Sequence, residues 1–141
     1  MIDIEYIMDL IDWNNSESNQ LKGIKMADEV ENLDVFLQPC DERYSKNVWD
    51  NCALILSKKS DKELQPYLTK LFEWLQDLNW PGAICILERL INYTDSDSFE
   101  PIYNECIETA KSQGDEIWES NLAIIKNPTE FFAQWKKPFD Y

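Results

Sequence analysis

The ten residues from Trp74 to Ala83, W-L-Q-D-L-N-W-P-G-A, bring two indoles, two amides, a carboxylate and a proline together. An aspartate between two tryptophans could act on a nucleobase lesion, or the indole rings could form a platform for a ligand. The same residue types also suit a corner between two helices, where four carbonyls and four amides lack partners within the helices. Three interpretations follow: a catalytic constellation, a ligand platform, or a structural corner.

Histidine is absent from all 141 residues. Its absence removes the commonest general base, the commonest zinc ligand and any Ser-His or Cys-His nucleophile pair. Carboxylate pairs of the glycosidase kind remain formally open, but 27 acidic residues make any chosen pair nonspecific. No G-x-G-x-x-G or G-K-[ST] phosphate loop occurs. We therefore favour the corner, keep the platform as the alternative, and expect no catalytic residue, no cofactor and no metal site.

The charge is strongly unbalanced, with 13 basic and 27 acidic residues and a formal net charge of −14 at pH 7. This charge repels phosphate backbones and anionic lipid, so neither nucleic acid nor membrane is an expected partner. The acidic surface either keeps the protein soluble or matches a basic protein partner. The amino terminus has acids where a signal peptide needs basic residues, and no long apolar run follows, which predicts a cytoplasmic protein.

The four cysteines are scattered and form no C-x-x-C pair. Cys40, Cys52, Cys85 and Cys106 each have apolar or helical neighbours, as a small hydrophobic side chain would. We expect all four to be buried free thiols.

Apolar residues spaced three and four positions apart predict an all-α protein. The clearest stripe is Phe99, Ile102, Tyr103, Cys106, Ile107 and Ala110. Ser60-x-x-Glu63 has the spacing of a capping box, Pro81 and Pro128 can open helices, and Pro66 and Pro101 should bend theirs. The predicted helices cover roughly residues 2–12, 18–31, 33–38, 46–58, 61–78, 81–93, 98–112 and 115–126, with a short ninth near 128–136.

A weak internal repeat is marked by Trp13, Trp49, Trp80 and Trp118, which recur at intervals of 36, 31 and 38 residues. A unit of this length is two helices, and it must stack on its neighbours to bury its apolar face. Leu64-x-Pro66-x-Leu68, followed by Asp77-x-Asn79 and an apolar helix, resembles a HEAT-type hairpin. Ala83 stands where HEAT units usually carry an arginine. The resemblance implies a right-handed α-α superhelix of HEAT-like helical hairpins.

The stretch W-L-Q-D-x-N-W-P-x-A, together with the later Asp115-Glu116-Ile117-Trp118, is similar to the signature of a small bacterial family of unknown function. The similarity covers roughly residues 61–125. We expect one domain over 1–141, with amino-terminal units at 1–60, signature-bearing units at 61–125, and a short capping helix and tail at 126–141. Such families resemble helical-repeat immunity proteins of polymorphic toxin systems, which implies a protein partner, namely a basic toxin domain.

The sequence leaves three functions open. The first is a non-enzymatic, monomeric binding protein of the immunity kind, the second a peptide-binding adaptor, and the third a HEAT-like DNA glycosylase, which the negative charge disfavours. The structural corner residues are expected to be Trp74, Trp80, Pro81 and Trp118. The candidate partner-binding residues are Glu73, Asp77, Asn79, Asp95, Asp97, Asp115 and Glu116, whose alternative role is helix capping.

Overall fold

The computed structural model describes residues 2–39 and 44–136, and within these residues it contains helices and turns but no β-strand. The prediction of an all-α protein is confirmed. None of the described helices is long and apolar enough to cross a bilayer. The helices are α1 Ile4–Ile11, α2 Glu17–Met26, α3 Trp49–Ser57, α4 Asp61–Leu64, α5 Leu68–Glu73, α6 Ala83–Ile91, α7 Ser96–Ser112, α8 Glu116–Ile124 and α9 Pro128–Lys136.

Several predicted helices are partly of the tighter 3-10 type. The segment predicted at 33–38 is a 3-10 turn, Leu33–Phe36. The helix predicted at 18–31 ends at Met26 and continues as the 3-10 turn Ala27–Glu29, and the one predicted at 46–58 begins with the 3-10 turn Lys46–Val48. Periodicity of apolar residues cannot separate the two helix types over one turn, since both bring residues three apart to one side.

Ser60 and Pro66 define the helical segment from Asp61 to Gln76. The capping box is confirmed: the Ser60 hydroxyl accepts from the Glu63 backbone amide at 3.1 Å, and the Glu63 carboxylate accepts from the Ser60 amide at 3.1 Å. Pro66 lies in the 3-10 turn Gln65–Tyr67 between α4 and α5, because a proline inside a helix removes a backbone hydrogen bond. Pro101, by contrast, lies within the continuous helix α7.

The packing joins helices that are adjacent in sequence and helices separated by one or two others. α1 packs on α2, α7 packs on α8, and the 3-10 turn Leu33–Phe36 packs on α3. Across these pairs, α2 contacts α3, α3 packs on α6, and α5 packs on α7. One cluster of buried apolar residues runs through all these contacts, from Ile7 to Ile125.

A partly buried ion pair joins the end of α6 to the start of α4. Arg89 donates from Nη2 to Asp61 Oδ1 at 2.6 Å and to the Lys59 carbonyl at 2.9 Å. The second carboxylate oxygen of Asp61 accepts from the backbone amide of Thr94 at 2.9 Å, just before α7. Asp61 therefore connects one helical hairpin to the next.

The cysteines differ in burial. Cys52 and Cys106 are buried free thiols, as predicted, whereas Cys85 is only half-buried on α6. The prediction of a buried thiol was wrong at Cys85, because this residue lies beside the buried stripe of α6, which is formed by Ala83, Ile86, Leu87 and Leu90. Cys40 and the tail at 137–141 lie outside the described residues.

Candidate functional site

Three tryptophans meet where the 3-10 turn Trp74–Gln76 leads towards α6. The ring of Trp49, the first residue of α3, contacts Trp74 edge-on with centroids 6.1 Å apart and Trp80 edge-on at 5.9 Å. Edge-to-face indole pairs add stabilisation beyond the area that they bury. Trp74 is fully buried, Trp49 is buried and Trp80 is half-buried. The stretch at 74–83 thus packs as a corner against α3.

The corner is closed by Pro81 and Gly82. The prediction that Pro81 opens a helix was wrong. α6 begins at Ala83, because Gly82 is its N-cap with a left-handed φ of +83°. The Pro81 carbonyl accepts the Trp74 indole N–H at 3.1 Å. Asp77 accepts from the Asn79 backbone amide at 2.8 Å, which fixes the turn before Trp80.

A second corner, between α7 and α8, lies against the first. The Asp115 carboxylate caps α8 by accepting from the Trp118 amide at 3.0 Å. The buried Trp118 indole donates to the Phe72 carbonyl at 2.9 Å, and the Asn121 amide donates to the Leu75 carbonyl at 2.7 Å. These bonds place the start of α8 beside the end of α5, so both corners lie at the same end of the helices.

The seven candidate partner-binding residues divide between the two ends of α7. Since α7 has 17 residues and rises 1.5 Å per residue, its ends are about 25 Å apart. Asp95 and Asp97 lie at its start, where the Asp95 amide donates to Asp61 at 3.3 Å. The remaining five form what we call the corner end: Glu73, Asp77, Asn79, Asp115 and Glu116.

Within the corner end, some side chains already have partners. Glu73 forms an ion pair with Lys70 at 3.6 Å, while Asp77 and Asp115 accept the backbone hydrogen bonds described above. Asn79 and Glu116 are exposed. Ile117, which follows Glu116, is 69% exposed. The arrangement offers hydrogen-bond acceptors, negative charge and one apolar side chain to a molecule that approaches this end.

The four repeat-marking tryptophans do not occupy equivalent positions. Trp49 is the first residue of α3, Trp80 lies three residues before α6, and Trp118 is the third residue of α8. Trp13, between α1 and α2, is 45% exposed. The even spacing in sequence therefore corresponds to helix starts in general and not to one repeated indole contact.

The two carboxyl groups whose pKa is lowered, Asp61 and Glu63, owe this to structural hydrogen bonds. Burial works to raise the pKa of Asp61, but hydrogen bonds from Arg89 and Thr94 outweigh it and lower the pKa to about 2. Hydrogen bonds from Ser60 lower the pKa of Glu63 in the capping box. Within residues 2–39 and 44–136, no three histidine, cysteine or acidic side chains are grouped so that they could hold a metal ion.

Three residues that matter in this region were not predicted from the sequence. Trp49 is the centre of the indole contacts, although the repeat had already marked it as a position before a helix. Arg89 forms the partly buried ion pair with Asp61. Ile117 could have been found from the pattern, since Trp118 and Leu122 on the buried side of α8 leave it facing outward.

The described residues define a class: an all-α protein whose helices pack around one cluster of buried apolar residues. The chain belongs to the family described as Domain of unknown function (DUF5071), whose model matches residues 45–136. The matched region contains both corners and the whole corner end. No curated protein and no solved structure matches the chain significantly.

Proposed function

We propose that this protein is a non-enzymatic, cytoplasmic binding protein of the bacterial immunity kind, which neutralises a basic toxin domain by covering it. The observation that carries the proposal is the corner end, where carboxylates from two corners lie at the same end of the helices as the exposed Ile117. Acidic side chains together with an exposed apolar one suit a basic protein surface, because interfaces combine apolar contacts with polar and charged ones.

The architecture that we propose for this role is a right-handed HEAT-like solenoid. It is supported by the packing order. If Leu33–Phe36 is counted as the first helix of a hairpin and α4 with α5 as one helix, α3, α6 and α8 are the second helices. Contacts of α2 with α3, of α3 with α6 and of α5 with α7 are those that a row of stacked hairpins would make.

The net charge of −14 supports a basic partner. Complementary charge chiefly raises the association rate and selects among partners, and the effect weakens as salt screens it. In this proposal the free protein is a monomer. The corner-end charges steer the toxin, and apolar contacts then hold it.

The direct test uses the product of the open reading frame next to this gene. Co-expression with a tagged copy of the present chain should recover that product as a tight one-to-one complex. It should also restore growth to cells that grow poorly when they express the product alone. A variant with Glu116→Lys and Ile117→Ser should bind at least about tenfold more weakly, equivalent to about 1.4 kcal/mol. The matched control is Glu105→Lys with Leu21→Ser, in which the charge change is the same. Its altered residues, an exposed acid of α7 and an exposed apolar residue of α2, lie away from the corner end.

The peptide-binding adaptor is the outcome that would replace this proposal. An adaptor would recover several unrelated partners with weak affinity and no protection from the neighbouring gene product. Recovery of chaperones alone, with no complex of the two gene products, would contradict the immunity proposal.

A further inference from the structure

A second surface runs away from the corner end along α3 and α6, and we call it the α3–α6 face. It consists of Asp50 and Leu54 on α3 with Cys85, Glu88 and Ile91 on α6. The two helices pack directly on each other. Their first residues meet at the corner, where the Gly82 backbone approaches Trp49 and Ala53. The face therefore begins at the corner end and continues for two helical turns.

Cys85 is influenced by acids on both helices of this face. Burial is the main cause that raises the pKa of the half-buried Cys85 thiol, and the negative charges of Glu88 on α6 and Asp50 on α3 raise it further. On α3, the Ser57 hydroxyl donates to the Leu54 carbonyl, one turn earlier, at 2.7 Å.

The middle of the face is apolar. Leu54 is 37% exposed, and Ile84, Cys85 and Ile91 are partly buried side chains at the edge of the core. Near the end of α6, Glu88 and Ile91 line a groove of about 210 Å³ together with Phe132 of α9. One exposed apolar side chain beside partly buried ones on an adjacent helix offers apolar area that another protein could cover.

The carboxylates of this face are not neutralised within the described chain. Asp50 and Glu88 are both exposed. The ion pairs formed between described residues join other groups, namely Lys70 with Glu73, Arg89 with Asp61, and Lys126 with Glu100. The face therefore presents apolar side chains together with one exposed carboxylate from each helix.

We propose that the α3–α6 face binds a basic amphipathic helix of the partner protein. Apolar residues of that helix pack on Leu54 and Ile91, and its lysine or arginine side chains reach Asp50 and Glu88. A helix that binds in this way presents its apolar anchors three and four residues apart on one side, and its charged residues flank them. This inference rests on the proposed binding function and assigns it a surface and a partner shape.

The test uses a synthetic amphipathic helical peptide of leucine and lysine as the probe, with a scrambled peptide of the same composition as the control. The protein carries Cys40→Ser, and alkylation of Cys85 by iodoacetamide is followed by mass spectrometry. Bound peptide should slow the alkylation of Cys85 at least about fivefold, and the scrambled peptide should leave it unchanged. Unchanged alkylation of Cys85 under saturating peptide would overturn the proposal, as would absence of binding.

Variants of matched charge locate the effect. Asp50→Lys with Glu88→Lys should weaken peptide binding by about tenfold or more. Glu105→Lys with Glu108→Lys, on exposed positions of α7, changes the net charge by the same amount and should weaken it much less. Equal weakening by both pairs would mean general attraction by net charge and would refute the assignment. The complex with the neighbouring gene product is measured separately. Absence of peptide binding would therefore refute the α3–α6 assignment without refuting the proposed function.

Discussion

The Gly82→Ala substitution should destabilise the protein by about 2–5 kcal/mol. Gly82 has a φ of +83°, and a residue with a Cβ in the left-handed region costs about 1–2 kcal/mol. The added Cβ would also lie 2.7 Å from the Ala53 Cβ and 2.8 Å from the Trp49 carbonyl oxygen. Overpacking of this kind costs about 1–3 kcal/mol. The two contributions together give the stated range.

Gly114→Ala is the matched control for this prediction. Gly114 also has a left-handed φ, +66°, but a Cβ there would meet no atom within 4 Å. Gly114→Ala should therefore lower the free energy of unfolding only by the backbone contribution, about 1–2 kcal/mol. Urea unfolding followed by circular dichroism gives the free energy of unfolding for each variant. If the two substitutions cost the same, the close approach of the corner to α3 does not constrain the protein, and our description of the corner is wrong.

Three further predictions use the same unfolding assay. Asp61→Asn should cost about 2 kcal/mol at neutral pH, because the Asp61 pKa falls from an ordinary 3.8 to about 2 on folding. A carboxyl with a lowered folded-state pKa stabilises fully above its unfolded pKa. The difference between Asp61→Asn and wild type should therefore shrink as the pH falls from about 4 towards 2, and a pH-independent difference would refute the ion-pair account. Trp118→Phe should cost about 1–3 kcal/mol, since it leaves the buried Phe72 carbonyl without its donor. Trp13→Ala, at an exposed position, should change stability by only about 0.5 kcal/mol, and a larger loss would show that Trp13 packs like the other repeat tryptophans.

The helices could largely be predicted from the sequence because their buried stripes follow the helical period. The stripe from Phe99 to Ala110 lies on one side of α7, with Phe99, Tyr103, Cys106 and Ala110 buried. Start signals were reliable where a side chain makes the cap, as at Ser60. They failed at Pro81, because the backbone conformation of Gly82 decides where α6 begins, and periodicity does not contain that information.

The candidate site was predictable only in part. The sequence marked the corner acids, and the helix predicted at 98–112 already placed Asp95 and Asp97 at the opposite end from Asp115 and Glu116, since 17 helical residues span about 25 Å. It could not show that Asp77 and Asp115 lie at the same end, because this depends on the packing of α8 against the end of α5. No local sequence pattern predicts contacts between distant segments, such as Trp49 with Trp80 or Arg89 with Asp61. Exposure of Ile117 follows from local pattern, whereas the grouping of Asp50 and Glu88 on one face requires the packing of α3 on α6.

The central claim is that this acidic helical protein binds a basic protein through the corner end and the adjoining α3–α6 face. Isothermal titration calorimetry of the chain with the purified product of the neighbouring gene tests it most directly, at low and at high ionic strength. We predict one-to-one binding that weakens as salt rises and that is reduced about tenfold or more by Asp50→Lys with Glu88→Lys. Absence of heat at low salt, or an affinity that neither salt nor these substitutions change, would contradict the claim.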